Sequence, residues 1–586
     1  MLGQIIEIKD SKIYVKLTID LNQIQNIINL YVIIQEATTS FVGEIINIFD
    51  GIAEINLIGE YKDNNLLYGF IKKPAFSAKV SLLAPSYVGK LIGNHEDDKS
   101  SLLIGKSPFY DSVTIYANMN KLFGNHFAIF GTTGAGKSCG FTRIIQNVFE
   151  KPNLSEKMNI IIFDAYGEYH NAFKEISKNS IHEFKTFTTG TETGSEPIRI
   201  PAWFLDADDI AILLGVTKKN QMQIIDKTLR YVSLFKRNEE EVGAYKNSVI
   251  ANAVLDILQS GKQAAQIRDQ IIGALSKFNT TQLNLESPIY QPGYTRTLRQ
   301  CLLIDESGKI NAIELLTEFL QSFLINTNEI TIALPDGSFP YTLNDVYDAL
   351  EIALIDEGIW ESEKVFDDAN ILKVRLHSLL NSDTKQYFTY NNFIDKKTYI
   401  ENFLMGPSGR KAQIINLNIN SVDDRFAKTL VKIYAKLFFN FAKSLPEKAT
   451  MPFNIILEEA HRYVQNDDDI NIIGYNIFER ITKEGRKYGV LLGLISQRPC
   501  ELSDTVLSQC SNYITFKVSH PKDKAYIADV IPNITNEIIE RMNTLEPGYC
   551  MCFGNSFKIP TLVQLEMPNP APNSSSCDIT NIWFNE

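Results

Sequence analysis

The sequence predicts an α/β chain. A parallel sheet is built around a phosphate-binding loop, with a small β-barrel in front of it and a helical insertion within it. Three observations carry this. His126-Phe-Ala-Ile-Phe-Gly131-Thr-Thr-Gly-Ala-Gly136-Lys137-Ser138 runs from a short apolar strand through a glycine turn into an amphipathic segment. The first hundred or so residues alternate apolar and polar positions and carry a hairpin signal, which is strand patterning. From about Pro201 to Gly409, apolar residues recur at helical spacing instead.

At 586 residues the chain is long enough for about two to four domains with a sizeable core. Hydrophobic content of 44% and charged content of 22% place it among ordinary soluble globular proteins. No apolar run is long enough to span a bilayer, and the start, Met1-Leu-Gly-Gln-Ile-Ile-Glu, lacks the pattern of a signal peptide. The seven cysteines are scattered, and the closest pair, Cys550 and Cys552, lacks zinc-type spacing. Such usage fits a reducing cytoplasm, with most thiols as small core residues. A net charge of −12 and a pI near 5.3 argue against a protein that coats nucleic acid with its whole surface. A local basic channel stays open as an alternative.

Residues 1–100 read as the barrel. Ile13, Val15, Leu17 and Ile19 alternate with Lys12, Tyr14, Lys16 and Thr18, the period of a half-buried strand. Val42, Ile46 and Ile48 lead to Asp50-Gly51, a tight hairpin signal, after which Ile52, Ile55 and Leu57 follow. No helical pattern stands out, and Asn94-His-Glu-Asp-Asp-Lys-Ser100 is polar enough to be a linker.

The core opens over residues 101–200. The loop matches G-x-x-x-x-G-K-[ST] between a strand and a helix. Glycines let backbone N–H groups converge on phosphate oxygens, and the helix N-terminus adds its positive dipole end. Gly131, Thr132, Thr133, Gly134, Ala135, Gly136, Lys137, Ser138 and Cys139 are the nucleotide-binding candidates. Lys137 is placed to reach the β/γ-phosphates and Ser138 to ligate Mg²⁺. Met158-Asn-Ile-Ile-Ile-Phe163 then reads as a strand buried on both faces, ending in Asp164-Ala-Tyr-Gly167-Glu168-Tyr169. Asp164 and Glu168 thus fall on the sheet edge where ligands bind. A helix-cap or turn role is the alternative for Asp164, and a purely structural role stays equally open for Glu168.

Residues 201–409 form the helical insertion: Ile210 to Leu214, Met222 to Leu229 and Val249 to Leu258 all show helical spacing. Gln291-Pro-Gly293 and Pro335-Asp-Gly337 break later runs. Lys218, Lys219, Arg230, Lys236 and Arg237 read as solvated faces, with a nucleic-acid path as the alternative for a few of them.

The core resumes over 410–565. Ala412–Ile419 is a strand and Asp424–Lys443 an amphipathic helix; Pro452-Phe-Asn-Ile-Ile-Leu457 is a further strand, ending in Glu458-Glu459-Ala-His461. Two acids at a strand end downstream of a phosphate loop suit a metal-side carboxylate, Glu458, and a catalytic base, Glu459. Arg480, Lys483 and Arg486 sit three apart on one helix face. Arg486 is a candidate arginine finger entering a neighbouring subunit's site, with a surface salt bridge as the alternative. Val490–Ser496 is another buried strand, tipped by Gln497, which is placed to sense the γ-phosphate or position water. Residues 566–586 read as a linker-like tail before a short apolar terminus, Ile582-Trp-Phe584, with an arm reaching a neighbour as the alternative.

Taken together, the chain resembles the HerA family of hexameric DNA translocases, within the FtsK–HerA group of P-loop ATPases. The resemblance rests on Asn125 to Ser138, Asp164-Ala-Tyr-Gly-Glu-Tyr169, Leu457-Glu-Glu-Ala-His461, Glu484-Gly-Arg-Lys-Tyr-Gly489 and Ser496-Gln-Arg-Pro499, in the family's order. Where the family carries Asp-Pro-His-Gly-Glu-Tyr, this chain has Asp164-Ala-Tyr-Gly-Glu-Tyr169. The resemblance implies a RecA-like P-loop ATPase core and a homohexamer with ATP and Mg²⁺ between subunits and duplex DNA in its channel. It also implies that Lys137 and Ser138 hold phosphate and metal, that Glu458 and Glu459 are the acidic pair, that Gln497 is the sensor and that Arg486 is the finger in trans. Family partners dock on the barrel. They are the nuclease NurA in end resection, or nuclease-like and sirtuin-like NAD-hydrolysing effectors in anti-phage defence.

Three function hypotheses follow. A motor drags DNA through a ring by hydrolysis. A scaffold uses ATP as a conformational ligand to assemble an effector, a reading the negative charge favours. A conjugation or secretion ATPase of the same superfamily is disfavoured by the barrel and by the lack of a membrane segment. The intact hydrolytic residues Glu459, Gln497 and Arg486 favour the motor.

Overall fold

The computed structural model describes residues 1–19, 27–62, 65–92, 99–152, 157–176, 181–325, 337–356, 363–466, 469–532, 534–574 and 579–584. The chain forms two compact units. One comprises residues 1–196, 404–466 and 477–586, the other 197–403 and 467–476.

The first unit begins with β1 (Gly3–Lys9), β2 (Lys12–Leu17), β3 (Tyr31–Gln35), β4 (Ser40–Phe49), β5 (Ile52–Lys62), β6 (Asn65–Tyr68) and β7 (Lys79–Leu82). They run in the order β2-β1-β7-β3-β4-β5, and β5 pairs back onto β2 with Ala53 opposite Val15. Six strands therefore close into a barrel and β6 is an outer seventh. Closure leaves the ring with no open edge. The Asp50-Gly51 hairpin has both residues at positive φ, 49° and 72°, as a two-residue turn matching strand twist requires. Ile13, Val15, Val32, Ile34, Phe41, Ile55 and Val80 fill the interior.

A helix, Pro85–Ile92, follows the barrel, where the sequence showed no helical pattern. It is only eight residues long, and its buried stripe of Val88, Leu91 and Ile92 is too short to register as a period. The expected linker, Asn94–Ser100, lies mostly outside the described residues.

Next come β8 (Ser101–Lys106), β9 (Thr114–Asn118), β10 (His126–Phe130), β11 (Ile160–Asp164), β12 (Phe184–Thr188) and β13 (Glu196–Pro197). The second unit holds the hairpin of β14 (Pro288–Gln291) and β15 (Tyr294–Thr297). Back in the first unit are β16 (Ile414–Asn418), β17 (Phe453–Glu458), β18 (Val490–Ser496), β19 (Cys510–Thr515), β20 (Tyr549–Gly554) and β21 (Thr561–Gln564). Outside the barrel, the first unit's strands make one sheet ordered β13-β12-β16-β11-β17-β18-β10-β19-β20-β21-β8-β9. The run from β12 to β19 is parallel. Every residue of β10, β11, β16 and β18 is buried, so these strands read as apolar runs rather than alternations.

Helices cover this sheet. Lys137–Phe149 buries Phe141, Ile144, Ile145 and Val148. Asp424–Ser444 starts with Asp423 Oδ1 accepting the Phe426 N–H at 2.9 Å and stacks Phe438 on Phe453 of β17, ring centroids 5.7 Å apart. The barrel is tied to the helix Asn536–Asn543 by polar contacts. Lys12 bridges Glu54 and Glu537 at 2.9 and 2.7 Å, and Arg541 bridges Glu44 and Asn29 at 3.0 and 2.7 Å.

The second unit is mostly helical. Ala207–Leu214 opens with a reciprocal capping box between Asp206 and Asp209, satisfying two otherwise orphaned N–H groups. Lys219–Lys236, Glu239–Gln259, Ala264–Lys277, Leu343–Asp356 and Glu363–Leu380 follow. Lys236, read as solvated, pairs with Asp345 at 2.8 Å. Among the described residues no helix is long and apolar enough to cross a membrane.

Candidate active site

The strand order explains the site. β11, β17, β18 and β10 are neighbours, and their carboxyl ends lie in register. Leu457 is opposite Phe163, Glu458 opposite Ile495, and Phe130 opposite Ser496. The segments leaving these four strands, from Gly131, Asp164, Glu459 and Gln497, therefore start along one sheet edge.

The loop Gly131–Ser138 leaves β10 and enters the helix Lys137–Phe149. Gly134 and Gly136 take φ of 74° and 100°, conformations that L side chains rarely adopt. No side chain caps the helix N-terminus, so its first-turn N–H groups have no intrahelical acceptor and form a ready anion cradle. Lys137 Nζ donates to the Thr132 carbonyl at 3.1 Å. Burial lowers the Lys137 pKa, against the raising effect of Glu459, Glu458 and Glu168. Thr132 itself anchors the loop, its N–H and hydroxyl reaching Lys517 O at 2.8 and 3.2 Å.

The acidic pair splits at the end of β17. Glu458 stays in strand register, with Oε2 accepting the Ala165 N–H at 3.0 Å. Burial pushes its carboxyl well above the usual range, and the neighbouring Asp164 and Glu168 push it further. Glu459 leaves the strand at φ 48°. Left-handed backbone at a non-glycine residue costs about 1–3 kcal/mol and clusters at functional sites. Its Oε1 accepts the Gln497 amide N–H at 3.1 Å, and Gln497 Oε1 accepts the Thr133 hydroxyl at 2.5 Å. His461 adds a contact that sequence reasoning left unassigned: Nδ1 lies 3.3 Å from Glu459 Oε2 and 3.1 Å from Ser496 Oγ. The signal for it was its place two residues after Glu459 in the quoted motif.

Asp164 fits the turn reading rather than a nucleotide contact. Oδ1 accepts from the N–H groups of Gly167 and Glu168 at 2.7 and 3.0 Å, and Oδ2 from Tyr169 N–H and Asn416 Nδ2 at 3.1 and 3.0 Å. Four donors saturate a fully buried carboxylate. Glu168 is different. Burial raises its pKa against the Ser138 hydroxyl that holds it down, and its Oε2 is buried with no hydrogen-bond partner.

Lys137, Ser138, Thr133, Glu168, Glu458, Glu459 and Gln497 thus come together. Arg486 does not. It is exposed on the turn Gly485–Lys487, and its charge acts on His126, the first residue of β10, whereas the loop follows the last. Cys139 borders the loop and lies 3.9 Å, Sγ to Oγ, from Ser574 of the C-terminal tail.

The site accommodates a nucleotide with its metal. An uncapped helix start offers amides for phosphate, and a lysine stands beside it. Three crowded carboxyls, two of them raised by burial and mutual repulsion, leave a buried oxygen of Glu168 unpaired beside Ser138. A divalent cation would relieve that crowding.

Residues 87–327 match the family model described as "Helicase HerA, central domain". The chain is similar to a probable helicase of Methanocaldococcus jannaschii, with 25% identity over 80% of this chain and 70% of that protein. It is likewise similar to the DNA double-strand break repair helicase HerA of Pyrococcus furiosus, with 22% identity over 88% of this chain and 77% of that protein. Among solved structures, the bacterial conjugative coupling protein TrwB is similar at 12% identity and a TM-score of 0.42, over 84% of this chain and 94% of that one. The family match contains the phosphate loop, both relatives align across most of the chain, and over these spans the chain is similar to HerA helicases.

Proposed function

We propose that the chain hydrolyses ATP to drive duplex DNA through a homohexameric ring. In this reading an effector docks on the N-terminal barrel, a nuclease or a sirtuin-like NADase, and the assembly serves DNA end processing or anti-phage defence. The observation that carries the reading is the continuous link Thr133–Gln497–Glu459 beside Lys137. A protein that only bound nucleotide would not need a base held against the loop.

Each side chain then has a task. The first-turn amides and Lys137 hold the phosphates, with Lys137 leaving the Thr132 carbonyl to do so. Ser138 and Glu458 hold Mg²⁺, which when bound neutralises charge on the β- and γ-oxygens. Glu459 orients the attacking water and accepts its proton, and Gln497 sets the direction in which Glu459 points. Arg486 serves the neighbouring subunit.

A second reading rests on the net charge of −12: an ATP-gated scaffold that assembles and activates the effector without obligatory translocation. ATP turnover with and without linear duplex DNA separates the two, beside Lys137→Ala and Glu459→Gln controls. Stimulation by DNA, abolished by both substitutions, is the expected result. Turnover indifferent to DNA but changed by an added effector would replace the motor with the scaffold.

A further inference from the structure

The C-terminal tail reads as a linker from its composition, yet it is fastened along the loop helix from one end to the other. Arg143 donates to Glu566 at 2.9 Å. Gln146 clamps the next stretch, its Oε1 accepting the Asn569 N–H at 3.0 Å and its Nε2 donating to Pro570 O at 2.9 Å. Pro568 and Pro572 are buried. Towards the helix N-terminus, the Asn573 N–H donates to the Glu168 carbonyl at 2.9 Å, and its Oδ1 accepts from Asn171 Nδ2 at 2.8 Å. Ser574 Oγ then reaches Cys139 Sγ at 3.9 Å.

The two ends of the nucleotide cradle are distinguishable. Thr133, Gln497 and Glu459 mark the reacting end. Cys139 lies two residues beyond Lys137, on the first helical turn, and the loop's amides there serve the phosphates nearest the nucleoside. Asn573 and Ser574 are polar and exposed, so their position is not explained by burial. The hydrogen bonds to Glu168 and Asn171 hold Asn573 there, and the amide and hydroxyl of the pair suit sugar hydroxyls as donors and acceptors.

We infer that Asn573 and Ser574 form part of the wall that receives the nucleoside half of the bound nucleotide, making the C-terminal tail a determinant of affinity for nucleotide over bare polyphosphate. The inference rests on the nucleotide reading of the loop. ADP and inorganic pyrophosphate, each with Mg²⁺, titrated calorimetrically into the full chain, test it. Asn573→Ala/Ser574→Ala removes the polar groups and Ser574→Arg obstructs the space. Both are expected to weaken ADP about tenfold, the worth of one or two hydrogen bonds, while pyrophosphate stays within about twofold. Equal losses for the two ligands would make the tail a mere prop for the loop and overturn the inference, as would unchanged ADP affinity in both variants. Wild-type chain that binds neither ligand would overturn the nucleotide reading and this inference with it.

Discussion

Gln497 spans the loop and the acid pair, its amide nitrogen donating to Glu459 at 3.1 Å and its amide oxygen taking the Thr133 hydroxyl at 2.5 Å. Both ends of one side chain are therefore committed. Any group arriving beside Thr133 competes for Gln497 and so alters how Glu459 is held. The tip of β18 thus couples occupancy of the loop to the posture of Glu459.

Gln497→Ala is expected to lower the kcat for ATP about 10- to 100-fold, with KM changed less than about threefold, because it removes orientation rather than phosphate contact. Glu459→Gln is expected to cost more, about 10²- to 10⁴-fold, because the proposed proton acceptor is lost. Steady-state kinetics on both variants check the order. A Gln497→Ala effect confined to KM would place Gln497 in nucleotide binding alone.

His126 predicts an acid limb in stability. Burial, with the Arg486 charge nearby, pushes its pKa from 6.5 down to about 4, and the neutral ring accepts the Leu492 N–H on Nδ1 at 2.9 Å. The unfolded chain takes up this proton near pH 6.5 and the folded chain only near 4. The stabilisation is therefore complete above pH 6.5 and erodes as pH falls towards 4, by up to about 3 kcal/mol. His126→Gln keeps an acceptor without the titration and is expected to flatten that limb in urea unfolding between about pH 4.5 and 7. Parallel limbs in the two proteins would assign acid sensitivity elsewhere.

The attachment of the barrel rests partly on Arg541. Burial raises the pKa of Glu44, and Arg541 pulls it back down through charge and hydrogen bonding. Arg541→Ala leaves that carboxylate half-buried without its partner and is expected to cost about 1–3 kcal/mol. Adding Glu44→Gln is expected to restore part of the loss. Strict additivity in thermal unfolding would show that the two side chains do not interact.

Local patterns made much of this legible. The loop, the buried parallel strands and the Asp50-Gly51 hairpin each declare themselves within a dozen residues, because backbone conformation and burial on both faces constrain composition directly. Glu458 and Glu459 were legible as strand-end acids, but their divergence was not. It depends on one left-handed residue whose sequence is an ordinary glutamate. The saturation of Asp164 needed Asn416 from a strand about 250 residues away. The tail was misread as a linker for a similar reason: its prolines and polar residues match a solvated chain, and only Gln146, Glu168 and Asn171 show what it is fastened to.

Arg486 supplies the sharpest test of assembly. Its charge acts on His126 at the amino end of β10, and a strand of that length separates that end from its own loop by about 13 Å. In the proposed ring, an arginine placed there would contribute to hydrolysis only through another subunit. Arg486→Ala is expected to lower turnover by about 10³-fold or more while leaving nucleotide affinity unchanged. Lys137→Ala is expected to be inactive for a different reason. Mixed rings then pair an intact Lys137, from the Arg486→Ala chains, with an intact Arg486, from the Lys137→Ala chains. About a quarter of the interfaces in a randomly mixed ring carry both. Activity of the mixture well above that of either variant alone, after subunit exchange, is the expected outcome. A mixture no better than its components would mean that Arg486 acts within its own chain or only in folding, and the finger in trans would be abandoned.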